Sequence, residues 1–133
     1  MRWPIRLVLL LYLLVCGGCG KEKSTDELIV DLKSAKEGER LRAVRLLPHR
    51  KGDATQVVPA LMDALKDRAS DVRWSAAIGL GWLGEQARDA IPALQAALGD
   101  RDARVREAAG VALSRIDPAN FISPTARGTT RTQ

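Results

Sequence analysis

The sequence predicts an all-α domain, a short α-solenoid of about six helices stacked as hairpins with a period of 33 residues. Three observations predict it. The chain matches itself when slid by 33 positions, its apolar residues recur at helical spacing, and no stretch alternates apolar with polar as a half-buried strand does.

The self-match places Val57-Val58-Pro59-Ala60-Leu61 over Ala90-Ile91-Pro92-Ala93-Leu94 and Ala64-Leu65 over Ala97-Leu98. It places Asp67 over Asp100, Val72-Arg73 over Val105-Arg106, Ala76 over Ala109 and Leu80 over Leu113. One step earlier, Arg40, Ala43 and Leu47 fall under Arg73, Ala76 and Leu80, and Leu28 and Leu32 fall under Leu61 and Leu65.

Each period holds two helices. Taken in order, the pattern places helices near 25–34, 38–47, 55–66, 71–83, 88–98 and 103–116. The helix at 25–34 rests on Leu28 and Leu32, and that at 38–47 on Ala43 and Leu47. The helix at 55–66 rests on the run through Leu61 and Leu65. In 71–83, Val72, Ala76, Leu80 and Leu83 share one face, and in 88–98 Ile91, Leu94 and Leu98 do so. The helix at 103–116 repeats Val105, Ala109 and Leu113. Gly84 is expected to end the fourth helix as a left-handed cap, and Pro92 fits the first turn of the fifth, where its missing N–H costs little. The array thus reads as a lone second-type helix, two complete pairs and a lone first-type helix. One amphipathic pair cannot bury its own apolar face, so neighbours supply the core.

This pattern resembles bacterial HEAT-like repeats, including those of the phycobilisome lyase type, over residues 25–117. Asp71-Val72-Arg73, Ala76-Ala77, Leu80-Gly81-Trp82-Leu83-Gly84, Ala90-Ile91-Pro92-Ala93-Leu94 and Ala97-Leu98-Gly99-Asp100 carry the resemblance. It implies a structural ladder in which an Asp and an Arg six residues apart hold neighbouring repeats together. Asp67 with Arg73 and Asp100 with Arg106 match that spacing, while Ser34 replaces the Asp before Arg40, so the first rung is expected to be weaker. Bidentate pairing of this kind suits a buried inter-repeat contact.

The N-terminus has the parts of a secretion signal. Arg2 and Arg6 precede an uncharged run from Leu7 to Val15, followed by Cys-Gly-Gly-Cys-Gly. The run is shorter than the about 20 residues that span a bilayer, which makes a membrane-spanning anchor the weaker alternative. Gly17, Gly18 and Cys19 resemble the lipobox of bacterial lipoproteins, which implies lipidation at Cys19. Cys16 stands where that motif usually has Leu; Cys16 as acceptor would instead put Val15 next to the cut. The expected organisation is a signal peptide over 1–18, a lipidated Cys and short linker over 19–24, the repeat domain over 25–117 and a disordered tail over 118–133. Phe121 and Ile122 in that tail are candidates to cover the last helix. Both cysteines of the chain lie in the N-terminal segment, so the repeat domain has no disulfide and no thiol nucleophile.

The net charge of +5 belongs mostly to the ends. Four of the 21 basic residues, Arg2, Arg6, Arg127 and Arg131, lie outside 20–117, which leaves that part at +1. A nucleic-acid partner is therefore not expected. The local run Arg40, Arg42, Arg45, Arg50 and Lys51 reads as a solvated helix face, with contact to anionic lipid as the alternative.

No catalytic residue, metal site or cofactor is expected. His49 is the only histidine and reads as a solvated loop residue; the serines lack a nucleophile-elbow context. Trp74, Ile78 and Trp82 form an apolar stripe at i, i+4 and i+8, where neighbouring repeats have Leu41, Arg45 and His49 or Glu107, Val111 and Arg115. They are the candidate partner-binding residues, against the ordinary alternative that both rings pack half-buried over adjacent helices. Gln56, Asp63, Lys66, Arg88 and Gln95 on the second-type helices are a weaker candidate surface. The expected function is a non-enzymatic, membrane-tethered adaptor or scaffold that binds another protein of the bacterial envelope. The alternatives are a lyase-like or chaperone-like helper, as the resemblance allows, and a fragment of a longer repeat protein.

Overall fold

The structure, a computed structural model, describes residues 22–121. The expected signal segment with Cys16 and Cys19, and the tail from Ile122 onward, lie outside the described residues. Among the described residues six α-helices follow one another: α1 Thr25–Asp31, α2 Glu37–Leu46, α3 Ala54–Ala64, α4 Ser70–Leu83, α5 Ile91–Ala97 and α6 Ala103–Ile116. Among the described residues there is no strand.

The helices form two layers. α2 packs on α4 and α4 on α6 in one layer. In the other, α1 packs on α3, and α3 on the 3-10 segment Gly84–Ala90 that leads into α5. Local chemistry sets the starts. Ser24 caps α1 in a reciprocal box: its hydroxyl accepts from the Glu27 amide at 3.2 Å, and the Ser24 amide donates to Glu27 Oε2 at 2.7 Å. Asp102 caps α6 by accepting from the Arg104 amide at 2.9 Å.

The core follows the repeat. Leu47, Leu80 and Leu113 from one layer meet Leu28, Leu61 and Leu94 from the other, all essentially solvent-free. Each such burial contributes about 1.5–3 kcal/mol, so the stacked rows supply the stability that one hairpin lacks.

Three details depart from the expectations. Gly84 does have a positive φ of 58°, but its ψ of −132° lies outside the left-handed helical region. It turns the chain into a 3-10 segment instead of closing α4 with an αL cap, and α5 is correspondingly shortened to Ile91–Ala97. Leu98 is 43% exposed, whereas its counterpart Leu65 is 7% exposed, because no repeat among the described residues packs over it. Residues 118–121 begin the expected tail as a defined turn: the Phe121 amide donates to the Asp117 carbonyl at 3.0 Å, and the Phe121 ring packs half-buried against the core.

Candidate functional site

The turns that join α1 to α2, α3 to α4 and α5 to α6 are built the same way. Ser34, Asp67 and Asp100 each accept, through a side-chain oxygen, from the amide two residues on, at 3.1, 2.8 and 2.8 Å. The arginine six residues later then clamps the turn. Nη1 of Arg40, Arg73 and Arg106 donates to the carbonyls of Ser34, Asp67 and Asp100 at 2.9, 2.8 and 2.8 Å. Ser34 thus preserves the turn although it replaces an aspartate.

The carboxylates pair across repeats and not within them. Asp67 is chelated by Arg40, with Nε to Oδ2 at 2.7 Å and Nη2 to Oδ1 at 3.1 Å. Asp100 is chelated by Arg73 at 2.8 and 2.9 Å. Asp67, Arg73 and Asp100 are thus joined across repeats, but the side-chain partner of each Asp is the Arg 27 residues before it; the Arg six residues after it holds only that turn's backbone, and Arg106 pairs with no carboxylate among the described residues. The first rung, Arg40 with Asp67, is as complete as the second, because Ser34 is not its carboxylate. Hydrogen bonds from Arg73 hold the Asp100 carboxyl below the usual range despite its burial. At Asp67 burial pushes upward, but the bonds from Arg40 and the Ala69 amide together bring the carboxyl below that range too.

Arg40 is consequently buried and leaves the predicted basic face, which reduces to the exposed Arg42, Arg45 and Lys51. Arg50 turns instead toward the Lys23 carbonyl at 3.0 Å.

The stripe on α4 is a ridge between two grooves. Trp74 and Ile78 are half-buried against the core, and Trp82 is 56% exposed. On the α6 side, Gly81 lets the helices nearly touch: a Cβ there would sit 3.0 Å from the Ala112 Cα. With Ala77, Ala108 and Ala112 as a small-residue floor, the bulky Trp74 and Trp82 face Glu107, Val111 and Arg115 across a groove of about 510 Å³. On the α2 side, Gly79 meets Pro48, and a second groove of about 150 Å³ lies beside Val44, Arg45 and His49. The His49 ring stands edge-on to Trp82 with centroids 5.9 Å apart. Ser75 lines this smaller groove, and its Oγ is the one buried side-chain oxygen or nitrogen without a hydrogen-bond partner among the described residues.

The stripe residues were thus legible in the sequence, and the grooves beside them were not. Ser75 carried no signal beyond breaking the pattern of Arg42 and Ala108 at its repeat position. Gln56, Asp63, Lys66, Arg88 and Gln95 are all exposed and converge on no groove with the stripe. Among the described residues no helix is long and apolar enough to cross a membrane, and no cluster of three or more His, Cys, Asp or Glu is placed to hold a metal ion.

Comparison with known proteins agrees with this geometry. A family model for HEAT repeats matches residues 25–114. Among solved structures, the complex of CpcE and CpcF of phycocyanin lyase from Nostoc sp. PCC7120 is similar, with a TM-score of 0.66 and 30% identity over 74% of this chain and 39% of that chain. The match therefore covers well under half the length of that relative. No curated protein matches it.

Proposed function

The chain belongs to the HEAT-repeat family, and on that premise we propose that it is a non-catalytic adaptor that grips a partner protein along the α4 ridge. One observation carries the reading: two tryptophans and an isoleucine line a ridge between two open grooves, on a face that is polar at most of the equivalent positions of the neighbouring repeats. Rigid aromatic anchors of this kind dominate binding energy at protein interfaces. A side chain entering the smaller groove also meets the unpartnered Ser75 hydroxyl.

The N-terminal sequence adds a place. In this proposal Cys19 is lipidated after export, and the five residues from Gly20 to Ser24 span at most ~16–18 Å, so the partner is an envelope protein met close to the membrane. Crosslinking followed by recovery of the full chain tests the ridge: Trp74→Ala/Trp82→Ala is expected to lose the partner while keeping its helical content. Unchanged recovery would sink the ridge assignment. Fatty-acid labelling of native and Cys19→Ser protein tests the tether, and label that survives the substitution removes it.

The likeness to the phycocyanin lyase complex favours a second reading, a lyase-like helper that uses the larger groove to hold a ligand. Incubating the full chain with phycocyanin and following visible absorption separates the two, since an adaptor leaves the spectrum unchanged.

A further inference from the structure

His49, Trp82 and Arg115 stand one 33-residue period apart and form a row across the layer of α2, α4 and α6, where those helices end. All three are exposed, and the His49 ring meets Trp82 edge-on. Arg45 shares the smaller groove with Trp82, and Arg115 shares the larger one, so an arginine flanks the indole on each side. Among the described residues neither arginine has an ion-pair partner, and neither does the exposed Lys51. The N-terminal segment enters the domain at the same place. Arg50, next to His49, donates through Nη2 to the Lys23 carbonyl at 3.0 Å and to Glu22 Oε2 at 3.4 Å.

The two sides of that entry carry opposite charge. On the side of the row, two nearby acids are engaged, Glu22 with Arg50 and Asp53 with the Thr25 hydroxyl, and Glu85 lies on the segment after α4. On the other side, the first turn of α1 exposes Asp26 and Glu27, which share a surface hollow with Val30. Cys19 stands three residues before Glu22, a reach of at most ~10–11 Å. Attachment to a bilayer at Cys19 therefore keeps this part of the domain near the headgroup charge, whose field falls off over about 8 Å at physiological salt. An anionic surface repels the Asp26 side and attracts the Arg45 side. Indole and guanidinium, each an apolar body with a polar tip, are also the groups that settle in the headgroup layer.

We propose that the Trp82 edge is a membrane-contact surface: the tethered domain tips so that Arg45, Lys51 and Arg115 meet anionic lipid headgroups and the Trp82 indole sits among them. The inference rests on the membrane tether proposed above and adds what a tether alone does not fix, which face lies against the bilayer. Trp74 stands two turns further along α4, ~12 Å away, and stays open to the protein partner of the adaptor reading. The ridge then runs away from the bilayer, with its Trp74 end outermost.

The test uses the full chain on vesicles of phosphatidylcholine, alone or mixed equally with phosphatidylglycerol, both carrying brominated acyl chains. Sedimentation with the vesicles reads the tether. Quenching of native protein minus that of Trp82→Phe protein reads the position of Trp82 in the sedimented fraction. Trp82 is expected to be quenched on the phosphatidylglycerol vesicles and to lose that quenching on phosphatidylcholine alone. The loss should recur in high salt and in Arg45→Glu/Arg115→Glu protein that keeps its helical content. The salt arm needs no variant, so it decides the question even if the charge reversal disturbs the fold. A chain that sediments with Trp82 unquenched overturns the proposal and leaves the tether standing. Quenching that is equal on both vesicle types and indifferent to salt overturns it as well, since charge would not be choosing the face. A chain that sediments with neither vesicle removes the tether, and this contact with it.

Discussion

Arg73 and Asp100 stand 27 residues apart in sequence and face each other through two parallel hydrogen bonds, Nε to Oδ2 at 2.8 Å and Nη2 to Oδ1 at 2.9 Å. The pair joins the turn before α4 to the turn before α6, and the side chains are 7% and 11% exposed. Removing one partner leaves the other charge buried without its counterpart. Asp100→Ala should therefore lower unfolding free energy by about 3–5 kcal/mol, measured by urea unfolding. Replacing both, as Arg73→Met/Asp100→Leu, should cost clearly less than the single change. A double variant as unstable as Asp100→Ala would show that the pair contributes more than mutual compensation.

Acid should weaken the fold in a defined window. Asp67 and Asp100 have carboxyls held below their ordinary value of 3.8. Depressed folded values mean that their contribution is complete above the unfolded pKa and is lost as pH falls through the folded one. The urea midpoint should be nearly flat from pH 8 to about 5 and fall steeply below about 4. Asp67→Asn/Asp100→Asn protein should start less stable and lose less on acidification. An acid slope identical to that of the native chain would mean that other carboxylates govern it.

Two glycines should respond in opposite directions. A Cβ on Gly81 would lie 3.0 Å from backbone of Ala112, which cannot move without separating α4 from α6. Gly81→Ala should cost about 1–3 kcal/mol and push the two helices apart. Around Gly38 in α2 the space is open, with nothing within 4 Å of where a methyl group would stand. Gly38→Ala should therefore stabilise by about 0.5–1 kcal/mol through helix propensity. Thermal melts of both variants check the sign.

Ser75 offers a cheaper test of the smaller groove. Its hydroxyl is buried and unpartnered, a state that costs about 1–3 kcal/mol. Ser75→Ala should be neutral or stabilising in thermal melts of the free chain, and weaken partner recovery if the groove is occupied in the complex. A destabilised Ser75→Ala chain would show that the hydroxyl already has a partner.

Trp82 and Trp74 should separate binding from folding. Trp82 is 56% exposed, so Trp82→Ala should change stability by no more than about 1 kcal/mol while weakening partner capture. Trp74 packs on the core, and Trp74→Ala should cost more of both. If Trp82→Ala alone unfolds the chain, the ridge is a packing feature and not a binding one.

By itself the sequence determined the all-α class, the repeat and the six helices, because a 33-residue recurrence of leucines and valines at helical spacing buries itself by stacking one hairpin on the next. It also named both ladder types and the α4 stripe, since these residues break or keep the period visibly. Only the tertiary structure decided who pairs with whom. The six-residue Asp-to-Arg spacing lies within one turn, yet the carboxylate of Asp67 meets Arg40 and that of Asp100 meets Arg73, because stacking brings consecutive turns closer than the local geometry of one turn brings its own side chains. The grooves beside Trp74 and Trp82 have the same origin. They exist because Gly81 and Gly79 draw neighbouring helices together, and that approach is a property of two helices packed, not of either one alone.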